Sequence, residues 1–378
     1  MQTPDSLPFV LMRGGTSKGI FLRESDVPTD RQALTTLLLD VFGSPDRRQI
    51  DGLGGADKLT SKAAIIGPPR RPDSDVSYLF GQVGILAPEV DFNLNCGNLT
   101  AAVGAYAIET GLVPANEGRT LVRVHNLNTD RMVHVSVPTS GNRVITKGDL
   151  HIDGVPGYGA AIDLDFSRAV GAITGTLLPF GDVQTEIEIP GRDSMTVSVV
   201  DGANLVIYAY AAAFGLSGIE DPQYIDSNVE LRAHMDALRR EVAIRLGMSD
   251  YWHQRSAPST PMLIMLQKPR DYHSCTTGDL IAADRVHLVC RQFASGSSSK
   301  TLAGTITATT GMACRIEGTL PAQLCGNPGP GLLAFGHASG IIHVDASVVR
   351  RDGDWHVEKA TIQRTARRIA EGQVFLRG

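Results

Sequence analysis

Asn95-Cys96-Gly97-Asn98, followed by Leu99-Thr100-Ala101-Ala102-Val103-Gly104-Ala105, is the stretch whose reading decides the fold. The Ala- and Gly-rich run from Asn98 to Thr110, closed by Gly111, predicts a helix of small side chains that a sheet can embrace. A cysteine at the start of that helix faces unpaired backbone N–H groups and the positive end of the helix dipole, which favour its thiolate. The same N–H groups can hold a carboxylate. Upstream, Lys62 leads into the apolar run Ala63-Ala64-Ile65-Ile66, which suits a buried strand. A lysine entering such a strand is desolvated, and its pKa falls toward general-base use. Taken singly, lysines are mostly exposed and free cysteines mostly behave as small buried hydrophobes. Together, an amine and a thiol near one anion site are suited to moving protons on carbon acids, and we read them as an isomerase signature.

The rest of the chain arranges itself around two such helices. Phe9–Met12 reads as a first strand, turning through 13–19 into Ile20-Phe21-Leu22. Thr29 and Gln32 form a capping box for a helix with Leu34, Leu37, Leu38 and Val41 on its apolar face and Gly43 as its stop. Strands are expected at Ala63–Ile66 and Ser77–Val83, and several short antiparallel strands from Thr120 to Phe166. The second half echoes this order: strands at Met195–Val200 and Leu205–Tyr210, then a helix capped by Ser227 and Glu230 with the stripe Leu231, Met235, Leu238, Val242 and Leu246. Strands near Met262–Leu266 and Val286–Val289 come next, then a second small-residue helix from about Leu302 to Cys314, and strands from Leu332 onward. This is an α+β chain of two pseudo-symmetric domains, each a mostly antiparallel curved sheet around a central helix. We expect one domain over 1–185, joined by a C-terminal strand at 370–378, and the other over 186–369. The active site is expected in the cleft between them.

Composition narrows the function classes. A chain of 378 residues is too long for one ordinary core and fits two domains. The net charge of −5, without a basic block, recommends no nucleic-acid partner. No run approaches the ~18 uncharged apolar residues of a membrane span, and Met1–Pro8 lacks the pattern of a signal peptide. Five widely spaced cysteines without a CxxC pair argue against zinc and dithiol chemistry and suit a reducing cytoplasm. A homodimer is a reasonable expectation.

Several tempting motifs fail on context. Gly15-Thr16-Ser17-Lys18-Gly19 has the GxSxG pattern, but the segment after it reads as strand where a hydrolase elbow needs a helix. A tight anion-binding turn is the better reading. Ser297-x-x-Lys300 lacks the companion motifs of penicillin-recognising enzymes, and Gly52-Leu53-Gly54-Gly55 does not continue into a dinucleotide or P-loop fingerprint. Cys325-Gly326-Asn327 repeats a triplet of the first motif, but prolines come after it where a helix would be needed. The ten histidines show no ligand spacing; only His337, in the turn His337-Ala338-Ser339-Gly340, is placed near a site. Arg364-Thr365-Ala366-Arg367-Arg368 is either a solvated basic edge or the source of a guanidinium for a carboxylate.

The motifs Met12–Gly19, Gly43-Ser44-Pro45-Asp46, Ile50–Gly55, Leu59-Thr60-Ser61-Lys62, Asn95-Cys96-Gly97-Asn98 and Asp153-Gly154-Val155-Pro156-Gly157 together resemble the PrpF family of allylic isomerases. That family includes 2-methylaconitate isomerase and 4-oxalomesaconate tautomerase, and the stretch Gly43–Ile66 looks most like the latter. The resemblance implies a diaminopimelate-epimerase-like fold and no metal or organic cofactor. It implies Lys62 and Cys96 as the proton-handling pair, with Ser17, Lys18, Gly97 and Asn98 as carboxylate contacts. In the second half, Asp201-Gly202-Ala203-Asn204 is similar to a family turn, with Leu205 where proline is usual. Asn204, Ser297, Ser298, Ser339 and Arg364 complete the expected substrate contacts. Two features depart from the tautomerase-like pattern: Ser295–Lys300 carries no histidine, and Pro222–Tyr272 diverges. Both lie in the half expected to shape the substrate pocket.

The reaction so implied is a 1,3-allylic proton shift that moves a C=C bond within an unsaturated di- or tricarboxylic acid. Two other readings stand beside it. A cofactor-independent racemase or epimerase would need a second thiol, and none obviously starts a helix. A non-catalytic carboxylate-binding protein would need neither Lys62 nor Cys96.

Overall fold

The computed structural model describes residues 5–93, 95–326 and 328–377. Their contacts divide the chain into two compact units, Met1–Leu164 with Gln363–Gly378, and Asp165–Ile362. The chain passes between units near 164 and 362, whereas the sequence suggested 185 and 369.

The first unit is built on β1 (Ser6–Gly14), β2 (Ser17–Arg23), α1 (Arg31–Phe42), β3 (Lys62–Gly67), β4 (Val76–Val83), α2 (Gly97–Glu109), β5 (Gly118–Asn126) and β6 (Arg131–Ser140). Successive strands pair antiparallel, parallel, antiparallel, parallel, antiparallel. A parallel pair needs a crossover, and each of the two crossovers carries a helix, α1 and then α2. The C-terminal strand Ala366–Phe375 runs antiparallel to β1.

The second unit repeats the plan with β7 (Met195–Asp201), β8 (Leu205–Tyr210), α3 (Val229–Arg245), β9 (Met262–Gln267), β10 (Leu288–Ala294), α4 (Gly304–Cys314), α5 (Leu320–Cys325), β11 (Leu332–His337) and β12 (Gly340–Arg351). The five strand pairings alternate in the same sequence, and α3 and α4 occupy the two crossovers. The internal repeat, invisible in residue identity, is therefore present in topology.

Local expectations held in kind and shifted in detail. Helix α1 is capped by Asp30, whose carboxylate accepts the Ala33 N–H at 2.8 Å, and not by Thr29. Helix α3 is capped by Asn228, whose side chain accepts the Leu231 N–H. Ser227 cannot serve, because it ends the short helix Pro222–Ser227 and its hydroxyl bonds back to Tyr224 O. Strand β10 starts at Leu288 because a 3-10 turn occupies Ala283–Arg285. Asn327, the last residue of the repeated Cys-Gly-Asn triplet, lies outside the described residues, as do Met1–Pro4. Among the described residues no helix is long and apolar enough to cross a membrane.

The two inner helices explain the small residues. Gly97–Ile108 of α2 and all of α4 are buried, so both helices need thin surfaces on every side. A Cβ on Gly104 would stand 2.6 Å from a Val135 methyl, and one on Gly311 would stand 2.8 Å from a Val344 methyl. Each glycine lies about two turns after its helix's first glycine and faces the corresponding strand, β6 or β12. Alanine would gain up to ~1 kcal/mol of helix propensity there, but overpacking costs about 1–3 kcal/mol. Gly104→Ala and Gly311→Ala should therefore each lower stability by chemical denaturation, with each loss confined to its own unit's packing.

Candidate active site

Lys62 is the first residue of β3, with Gly19 of β2 on one side and Gln82 of β4 on the other. It is 6% exposed. Its Nζ donates to Gln82 Oε1 at 2.6 Å and lies 5.1 Å from the Phe80 ring centroid. Burial pulls its pKa below the ordinary lysine range, and the favourable fields of Cys96 and Asp57 only partly oppose this. Gln82 is itself fixed: its Nε2 donates to Lys58 O at 3.2 Å and Ser61 O at 3.0 Å.

Cys96 is the N-cap residue of α2, 7% exposed, with extended backbone. Its side chain makes no capping bond, while its carbonyl accepts the Thr100 N–H and hydroxyl. The thiol interacts electrostatically with Lys62, Tyr78 and Arg364. The Tyr78 hydroxyl is buried without a hydrogen-bond partner among the described residues, and burial pushes its pKa well up, with Cys96 adding to the effect.

Asn98, in the first turn of α2, joins three parts of the unit. Its Nδ2 donates to Thr16 Oγ1 at 3.0 Å and Ser17 Oγ at 3.4 Å, and its Oδ1 accepts Arg364 Nε at 2.9 Å. Arg364 is 3% exposed, and burial draws its pKa down to about 10, against the opposing field of Cys96, so it stays cationic at neutral pH. The solvated-edge reading of this arginine is thereby corrected. The β1–β2 turn lies so close to α2 that a Cβ on Gly14 would stand 2.2 Å from Asn98 O. Only glycine permits that approach. Lys18 is half-buried on the same hairpin, with its N–H bonded to Leu59 O at 2.9 Å. The turn leads into strand β2, so the hydrolase elbow is absent, as its context predicted.

Lys62, Cys96, Gly97, Asn98, Ser17, Lys18 and Arg364 thus all belong to the first unit. The other four expected contacts belong to the second. Asn204 is buried in the β7–β8 turn, its Oδ1 accepting the Leu205 N–H and its own N–H donating to Thr309 Oγ1 on α4. Ser297 and Ser298 pair with β10, and the Ser298 N–H donates to Asp226 Oδ1 at 2.6 Å. Ser339, between β11 and β12, donates its N–H to Lys300 O at 2.9 Å, which brings the turns 295–300 and 337–340 together. Gln82, Tyr78 and Thr16 are the members the sequence reading missed. Gln82 was findable only through the register that places it across from Lys62. Among the described residues no group of three His, Cys, Asp or Glu side chains could hold a metal ion.

The repeat also shows what the second unit lacks. Ala303 caps α4 where Cys96 caps α2, and the next turn repeats the same bond, Thr307 hydroxyl to Ala303 O matching Thr100 hydroxyl to Cys96 O. Met262 opens β9 where Lys62 opens β3, and Gln292 Nε2 lies 3.8 Å from its sulfur. The amine and the thiol have no titratable counterparts.

The family described as PrpF protein matches residues 5–377. The chain is 43% identical over 373 residues to 3-methylitaconate isomerase of Eubacterium barkeri, covering 98% of this chain and 97% of that one. A crystal structure of methylitaconate-delta-isomerase superposes with a TM-score of 0.80 at 42% identity, covering 99% of this chain and 96% of the other. A hydroxyproline epimerase from Agrobacterium vitis shares the fold at TM-score 0.59 and 11% identity, covering 100% and 95%.

Proposed function

Because the chain belongs to the PrpF family, we propose that it is an isomerase moving a C=C bond by a 1,3-allylic proton shift in a small unsaturated di- or tricarboxylic acid. 3-Methylitaconate is the first candidate substrate, on the strength of the 43% identity to an enzyme named for it. The observation that carries the reading is the buried Lys62–Cys96 pair, whose amine is held below its ordinary pKa.

Lys62, once neutral, takes a proton from the carbon beside the double bond. Charge spreads into a dienolate, and the uncapped N–H groups at the start of α2 face it or the adjoining carboxylate. Arg364, cationic and fixed through Asn98, adds positive potential at the same helix start. Cys96 returns a proton at the far allylic carbon, and the Lys62 ammonium then passes its proton to the Cys96 thiolate, which restores both groups for the next turnover. We place the enzyme in the cytoplasm, where five free cysteines are at home.

An epimerase working with two thiols is disfavoured by Ala303 at the position matching Cys96. The test is proton NMR of purified protein with a panel of unsaturated di- and tricarboxylates and chiral carboxylic acids. Migration of a double bond supports the isomerase; inversion of a stereocentre without migration, or tight binding without turnover, overturns it.

Since a neutral amine does the work, kcat should rise with pH through an inflection below the ordinary lysine value of 10.5. An inflection at or above that value would mean that Lys62 is not the group being titrated.

A further inference from the structure

We propose that Gln82 is a positioning residue that sets both the direction of the Lys62 lone pair and the pH at which that lone pair becomes free. This rests on Lys62 being the proton-moving amine. Gln82's two amide hydrogens are committed to Lys58 O and Ser61 O, so its amide cannot flip without setting oxygen against oxygen. Its Oε1 is therefore held 2.6 Å from Lys62 Nζ. A neutral amine that gives one N–H to Gln82 must point its lone pair elsewhere, which orients the base before substrate arrives. The carbonyl dipole also favours the ammonium form, as do the Phe80 ring face, the charge of Asp57 and that of Cys96 whenever it is a thiolate, all against the burial that favours the neutral amine. Tyr78 and Arg364 act on this balance through Cys96.

The test is the pH profile of kcat for wild type, Gln82→Met and Gln82→Glu, with thermal unfolding as a control. Gln82→Met removes the dipole, so the inflection should move to lower pH while kcat on the plateau falls on the order of 10-fold to 100-fold from lost orientation. Gln82→Glu puts a carboxylate beside the amine, so the inflection should move to higher pH. Shifts of opposite sign support the proposal. Unmoved inflections, or shifts of the same sign, overturn it. If one variant fails to fold, the direction of the other decides. Lys62→Met separates this from the underlying reading: retained activity there removes the lysine itself, whereas lost activity with unmoved Gln82 profiles removes only the positioning role.

The Sγ atoms of Cys314, at the end of α4, and Cys325, at the end of α5, lie 3.2 Å apart as free thiols. Only about an ångström separates that contact from the ~2.05 Å of a bonded pair. Cys314 is buried and Cys325 partly exposed, so one sulfur is reachable and the other is waiting behind it. The geometry points to a modification site at which a peroxide links the two. Cys325 thiolate attacks a peroxide oxygen, the O–O bond breaks, and the departing hydroxide takes up a proton as water. Cys314 sulfur then attacks the sulfenic sulfur, the S–O bond breaks, and a second water leaves with the Cys314 proton. Two thiols are oxidised and one hydrogen peroxide is reduced.

The full-length protein treated with hydrogen peroxide, alkylated under denaturing conditions and digested without reductant should yield a 314–325 cross-linked peptide 2 Da lighter than the reduced pair. Cys290, fully buried with its thiol pKa pushed far up, should remain alkylatable. Cys314→Ser should abolish the cross-link. A link to any other cysteine, over-oxidised Cys325 beside a free Cys314, or unreacted thiols throughout overturns the proposal.

Discussion

Lys62→Met should lower kcat by a factor of about 10²–10⁴ or more, the range a positioned acid or base contributes. The loss should not come from unfolding. Burial lowers the pKa of Lys62 in the folded chain, so between that pKa and 10.5 the unfolded chain binds more protons and stability rises with pH. At neutral pH the buried amine therefore carries a penalty that methionine, of similar length and apolar, does not. The variant should melt no lower than wild type at pH 7, with any advantage shrinking toward alkaline pH. Thermal unfolding at two pH values alongside steady-state kinetics checks both halves. Near-wild-type kcat would take the lysine out of the chemistry.

Cys96→Ser should cost a comparable factor, because a serine hydroxyl keeps the size but gives up its proton far less readily than a thiol. The split between parameters is informative: a fall in kcat at little-changed KM marks an interaction used only during turnover. A serine variant with most of its activity, and only KM raised, would reduce Cys96 to a carboxylate-positioning role.

The architecture was legible because its decisive elements have strong local signals. Small-residue helices bounded by glycine and polar turns left little choice for α2 and α4, and the leucine spacing did the same for α1 and α3. Caps were misplaced by one residue, at Thr29 for Asp30 and Ser227 for Asn228, because neighbouring short polar side chains compete for the same role. The buried entry of Lys62 into β3 was legible from the apolar run after it. Gln82, Tyr78 and the environment of Arg364 were not, because strand register and a contact spanning most of the chain decide them. Nor could periodicity anticipate Arg239, a guanidinium wholly buried on the apolar side of α3 that donates to the carbonyls of Pro258 and Pro261. The parallel between the two units was legible in the order of their elements though not in residue identity, and strand pairing extends it to topology.

The central claim is that the Lys62 amine and the Cys96 thiol, both of one unit, together move a proton along a bound unsaturated carboxylate. Conversion of 3-methylitaconate in D₂O, followed by proton NMR for wild type and Lys62→Met, tests it most directly. The account predicts double-bond migration with solvent deuterium at an allylic carbon in the wild type, and loss of both migration and label in the variant. Equal migration and labelling in the two proteins would contradict it.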